Sequence, residues 1–278
     1  MVCILLFAIA NPVLGYYKSI FSFGDSLADT GNALYSKLDK NVGNFPYGET
    51  YFYRVYSSKD LQQGANFAVG GATALDASFF EERKIVLPTN YSLGVQLEWF
   101  KQLLPSLCNP SSNDCHEYLK TSLILMGEIG GNDYNHPFFQ GRDVEEILTF
   151  VPEIINAISF AIKALIKEGA VTFMVPGNFP IGCSAKYLTL FKSPNKEDYD
   201  GSGCLKWLNE FSVYHNKFLQ KELDVLREEY PSVKIIYADY YNAAMKFYKS
   251  PKTLGIYVSS FFHPVALCLP TNVIQHSS

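Results

Sequence analysis

A chain of 278 residues is long enough for one large α/β domain with a core of its own. Nearly half of it is apolar and its formal net charge is -4, which excludes a disordered chain and leaves no basic footprint for nucleic acid. Its 19 Tyr and 21 Phe read first as core packing and second as the wall of an apolar groove.

The first fifteen residues contain the apolar run Val2 to Ala10. It is too short to cross a bilayer but has the length of a signal-peptide core. Val13 and Gly15 supply small residues for a cut after Gly15, so residues 1–15 read as a signal peptide of a secreted protein. No Lys or Arg precedes the run, and a buried N-terminal strand is the alternative. No later apolar run reaches membrane-spanning length, so no transmembrane span is expected.

Five short apolar runs then predict strands: Ile20 to Phe23, Asn66 to Val69, Leu123 to Gly127, Val171 to Val175 and Val233 to Tyr237. Between them, apolar residues from Val144 to Ile166 recur at helical spacing, with Pro152 placed to kink or restart the helix. Leu205 to Glu229 is a second long helical stretch, and Asn178 to Asp200 reads as the longest polar loop. Strands alternating with long helices predict a three-layer, flavodoxin-like α/β domain around a central parallel sheet.

Six cysteines suit an oxidising compartment. Cys3 leaves with the signal segment. Cys108 and Cys115 bracket one polar loop, Cys183 and Cys204 another, and each pair is a disulfide candidate. Cys268 is then odd. No Cys/His grouping has metal-ligand spacing, and no cofactor is expected. Asn90-Tyr91-Ser92 is a glycosylation acceptor if the chain is secreted.

The chemistry concentrates in Phe23-Gly24-Asp25-Ser26-Leu27-Ala28-Asp29-Thr30-Gly31-Asn32, which closes the first strand run and reads as the opening of a helix. That junction puts the Ser26 hydroxyl at the C-terminal edge of a sheet, where open α/β folds place their chemistry. The tripeptide alone reads as a helix cap. The longer string resembles the first signature block of plant GDSL esterases/lipases, a branch of the SGNH hydrolases. Gly64-Ala65-Asn66-Phe67-Ala68-Val69-Gly70-Gly71-Ala72 resembles their second block and Gly130-Gly131-Asn132-Asp133 their third. Taken singly, Gly70-Gly71 reads as a turn and Asn132 as a loop-capping amide. The resemblance implies the same three-layer fold and a carboxylic ester hydrolase acting on a small-molecule ester. It implies Ser26 as nucleophile, with Ser26 N–H, Gly71 N–H and the Asn132 amide as oxyanion donors.

Two departures stand beside the match. The family carries an Asp-x-x-His block near its C-terminus, whereas here His263 has Ser260 three positions before it. The segment after Arg54, about 54–62, is shorter than the family's. The chain therefore reads as a shortened or spliced member: a hydrolase domain over 16–251 and a divergent tail over 252–278. Asp133-Tyr134-Asn135-His136 has the Asp-x-x-His spacing, which makes His136 one base candidate and His263 another. His116, His215 and His276 read as surface or packing residues. The alternative to an esterase is a non-catalytic ligand-binding protein that keeps part of the ester pocket. Tyr134 to Phe139 and Asn178 to Ile181 are the aromatic-rich stretches expected to border that pocket.

Overall fold

The computed structural model describes residues 17–35, 63–108 and 114–254. The expected signal segment, the stretch at 54–62, Cys3, His263, Cys268, His276 and the tail beyond Leu254 lie outside them. Five strands form one parallel sheet: β1 (Ser19–Ser22), β2 (Gly64–Asn66), β3 (Ser122–Leu125), β4 (Thr172–Pro176) and β5 (Lys234–Ala238), in the order β2-β1-β3-β4-β5. This is the parallel α/β sheet that the alternation of runs predicts.

Side chains alternate across a strand, so register fixes which residues share a face. Ala65, Phe21, Ile124, Phe173 and Ile235 stand in one row across all five strands, and every one is buried. Their face is covered by α3 (Leu93–Leu107), α4 (Asp114–Lys120), α7 (Val151–Glu168) and α9 (Lys206–Glu229), with Phe21 edge-on to Phe100 and Tyr118. The opposite face carries Leu123, Leu125, Met174 and Ile236, all half-buried, and Ile20, 46% exposed.

The stretch Val144–Glu168 is apolar and long enough, by length and composition, to cross a membrane. It is two helices, α6 (Val144–Leu148) and α7, and the first turn of α7 holds Pro152, whose missing N–H costs nothing there. Ile154, Ile158, Ile162 and Leu165 recur along α7 on its buried side, facing α3 and α9, as in a core helix. The remaining described helices are α1 (Asn32–Tyr35), α2 (Ala77–Glu81), α5 (Gly131–Phe139), α8 (Ala185–Leu190) and α10 (Tyr240–Lys249). Cys108 is bonded to Cys115, joining the end of α3 to α4, and Cys183 to Cys204, joining the approaches to α8 and α9.

Three local expectations need correction. The residues after Ser26 form a turn, and α1 starts only at Asn32. Asp29 intercepts the Gly31, Asn32 and Ala33 N–H groups and so caps the helix later than expected. The second strand ends at Asn66 rather than beginning there. The Asn66 side chain takes the Ala68 N–H in a turn of its own, and past the strand Phe67 and Val69 continue buried, their N–H groups donating to Ser22 O and Gly24 O. The stretch 178–200 is no open loop: it contains α8, which sinks Tyr187 among Phe138, Phe139 and Phe191.

Candidate active site

Ser26 lies in the turn leaving β1, exposed, at the C-terminal edge of the sheet. The turn closes through Asp25: its carbonyl accepts from the Ala28 and Asp29 N–H groups, and its Oδ1 accepts from Leu27 N at 2.9 Å. Three neighbours hold this turn. Gln96 of α3 bonds both peptide groups of Gly24, its Oε1 accepting from Gly24 N and its Nε2 donating to Gly24 O. Asp29 Oδ2 takes the Gly70 N–H at 2.8 Å, which ties the Ser26 turn to the glycine pair after β2. Asn32 Nδ2 donates to Asn66 O and Ala68 O, while Asn66 Nδ2 returns a bond to Ala28 O.

The three groups expected as oxyanion donors are in different states. The N–H groups of Ser26 and Gly71 have no hydrogen-bond partner among the described residues. Gly71 has φ +83°, and a Cβ there would stand 2.9 Å from Pro88 Cγ, so glycine is required for the conformation and for the space. Asn132, buried at the start of α5, has both amide hydrogens engaged, on Asp25 Oδ2 at 3.2 Å and Ala72 O at 3.0 Å. Its Oδ1 accepts from Asn135 Nδ2, and Asn135 Oδ1 accepts from the Tyr187 hydroxyl. This chain of bonds fixes which way the Asn132 amide points.

Asp133 and His136 do not form a pair. Both Asp133 oxygens are used by the Ala74 and Leu75 N–H groups, which hold the loop that follows Gly71. His136 Nε2 lies 3.1 Å from Gly71 O. A carbonyl only accepts, so Nε2 carries the hydrogen and offers no lone pair to Ser26. Burial, more than nearby Lys186, lowers the His136 pKa and keeps the ring neutral. His116 is exposed on α4. His215 is buried in the core, where its Nδ1 meets the Tyr134 hydroxyl at 2.6 Å and burial lowers its pKa to about 4. Among the described residues no histidine is hydrogen-bonded to Ser26.

Beneath the turn is an acidic floor. Asp25 N donates to Glu128 O at 2.8 Å, which draws the β1 and β3 loops together. Burial raises the Asp25 pKa to about 7, with Asp29 adding to the rise. Burial, and then the charge of Asp25, raises Glu128 well above the usual carboxylate range. Asp133 is raised by burial to about 7. Glu128 Oε2 and Asn178 Nδ2 are buried and have no hydrogen-bond partner among the described residues. A Cβ placed on Gly131 would lie within 4 Å of both side chains.

Of the stretches expected to border a pocket, Tyr134 and Phe138 are core residues of α5, against Phe211, whereas Phe179 is half-buried against Tyr240. Apolar content alone does not separate a pocket wall from a core helix. A groove of about 650 Å³ between α9 and the start of α10, lined by Asn216, Tyr237 and Asn242, does not include Ser26. Asp29 orients the start of α1, as its place beside the Ser26 block suggests, whereas Gln96 and the Asp25–Glu128 floor carry no motif in the sequence. Gln96 had a usable signal, a polar residue among Leu93, Leu97 and Phe100 on the inward side of a helix.

The parallel α/β sheet is the architecture that the sequence predicts, and at its C-terminal edge Ser26 is exposed, with the Ser26 and Gly71 N–H groups unpartnered among the described residues and the Asn132 amide already engaged. The whole-chain comparisons agree. The GDSL-like Lipase/Acylhydrolase family model matches residues 20–268, past Pro251. A GDSL esterase/lipase of Arabidopsis thaliana is 48% identical over 279 residues, covering 88% of this chain and 72% of its own length. A sinapine esterase of Brassica napus is 48% identical over 285 residues, covering 90% of this chain and 73% of its own. With both the family model and these relatives spanning most of its length, the chain belongs to the GDSL-like lipase/acylhydrolase family.

Proposed function

We propose that this chain is a secreted carboxylic ester hydrolase in which Ser26 Oγ attacks the acyl carbon. The bond to the alcohol breaks, the alcohol leaves with a proton, and water then releases the acid from Ser26. The observation that carries the reading is the pair of unpartnered N–H groups on Ser26 and Gly71 beside an exposed Ser26 hydroxyl. Such donors, fixed before the reaction, stabilise a developing oxyanion without reorganisation. Family membership supports the hydrolysis of ester bonds, and the relatives' names support small-molecule esters as the substrate class. Leu27, 68% exposed next to Ser26, offers an apolar contact that suits short acyl or aromatic esters better than phosphate esters. Two disulfides and an exposed Asn90 in a glycosylation triplet favour an extracellular setting.

Hydrolysis of p-nitrophenyl acetate and butyrate by the purified chain, beside Ser26→Ala, tests the assignment. Loss of turnover in the variant is expected, and equal rates would remove Ser26 from the chemistry. The absence of any histidine bonded to Ser26 among the described residues favours a second reading, a non-catalytic ester-binding protein. A fluorophosphonate labels only an activated serine, so ester binding without labelling would select that second reading.

A further inference from the structure

We propose that Asp25 is a positioning residue that withholds the Asn132 amide from the oxyanion site while ionised and releases it when protonated. The proposal rests on the ester-hydrolase reading of Ser26, Gly71 and Asn132. Its ground is geometric. Asn132 has two amide hydrogens, and both are occupied, one by Asp25 Oδ2 and one by the carbonyl of Ala72. The Ala72 carbonyl belongs to the main chain and has no second state. The carboxyl of Asp25 has two. As a carboxylate it is a charge-assisted acceptor, about twice as strong as a neutral one, and it competes directly with a substrate oxyanion for the same hydrogen. Its negative charge beside Ser26 would also oppose the charge that develops on the substrate oxygen. A proton on Asp25 weakens the first effect and removes the second.

The surroundings make that proton available near neutral pH. Asp29 on the same turn, Glu128 on the loop after β3 and Asp133 on α5 all act on or feel the charge of Asp25. The other elements supply neutral groups: Gln96 from α3, bonded to Gly24, and Ala72 from the loop after β2. Buried among acids, Asp25 titrates at about 7, so it is ionised above that pH and protonated below it. Donation from Asn132 to an oxyanion therefore becomes easier as pH falls through this point.

The test is nuclear magnetic resonance on the unliganded full chain, and it needs no turnover. The side-chain amide of Asn132 and the carboxyl carbon of Asp25 are followed from about pH 5.5 to about 8.5. The expected result is an upfield movement of the Asn132 amide proton on acidification, with the same midpoint as the Asp25 carbon. In Asp25→Asn that movement should vanish. A pH-invariant Asn132 amide, a midpoint different from that of Asp25, or an unchanged titration in Asp25→Asn would overturn the proposal. The two midpoints are compared within the wild-type chain, so the test stands even if the variant does not fold. Fluorophosphonate labelling of Ser26 is read separately. Labelling without coupled titration overturns the Asp25 role alone. Coupled titration without labelling keeps the Asp25–Asn132 link and overturns the gating of a catalytic site.

Discussion

Asp29 accepts the N–H groups of Gly31, Asn32, Ala33 and Gly70, and Asp133 those of Ala74 and Leu75. At the same sheet edge Asp25 accepts the Leu27 N–H and one amide hydrogen of Asn132, whose other amide hydrogen goes to Ala72 O, and Glu128 Oε2 has no partner among the described residues. The first two acids hold loops in place. Burial makes the charge of Asp25, Glu128 and also Asp133 costly, so all three retain protons towards neutral pH. Carboxyl groups thus serve both as loop scaffold and as the floor beneath Ser26. What separates the roles is what each holds: Asp29 and Asp133 take only main-chain N–H groups of the loops, whereas Asp25 also takes a side-chain amide and Glu128 Oε2 takes nothing among the described residues.

The largest expected effect is on pH. Burial pushes the Asp25 and Asp133 carboxyls up to about 7 from the ordinary 3.8, so between these limits the folded chain binds more protons than the unfolded one. The stability this contributes is fully present below the unfolded value and is lost as pH rises through about 7. Denaturant midpoints measured at pH 5 and pH 8 should fall with rising pH; a rise would mean that the floor is better solvated than its burial implies. Next, Asp133→Ala orphans two backbone N–H groups at a fully buried position and should cost about 3 kcal/mol. A loss below about 1 kcal/mol by urea unfolding would deny Asp133 its scaffold role. Gly71→Ala forces a side chain into φ +83° and against Pro88, and should cost about 1–2 kcal/mol while lowering any esterase rate. The smallest effect should be that of Glu128→Gln. Replacing a carboxyl that lacks a partner by a neutral amide should change stability by less than about 1 kcal/mol or raise it. A large loss would show that Glu128 has a partner beyond the described residues.

Much of the frame was legible in the chain. Each apolar run marks a strand of the sheet, because a strand covered on one face and half-covered on the other must be apolar along its length. Asn66 to Val69 misleads because Phe67 and Val69 are buried and still donate to the β1 segment, so composition continues past the end of the regular strand at Asn66. The site is legible as far as its blocks are contiguous: Ser26, Gly71 and Asn132 can be named from short strings. Their tethers come from distant segments. Gln96 reaches Gly24 across 72 positions and Asp133 reaches Leu75 across 58, and single-sequence periodicity carries no information on such pairings. The unpaired state of Asp133 and His136 is hidden for the same reason. Spacing permits the pair, and the loop after Gly71 takes the acid.

The reciprocal amides Asn32 and Asn66 suggest how this scaffold could be redesigned. They stitch the Ser26 turn to the β2 loop with groups that do not ionise, so these stitches are indifferent to acidity while the floor is not. Working pH and loop geometry are therefore separate engineering variables. A designer could replace carboxyls under the turn to move an acidity optimum and leave the stitches, and hence the aim of the serine, untouched.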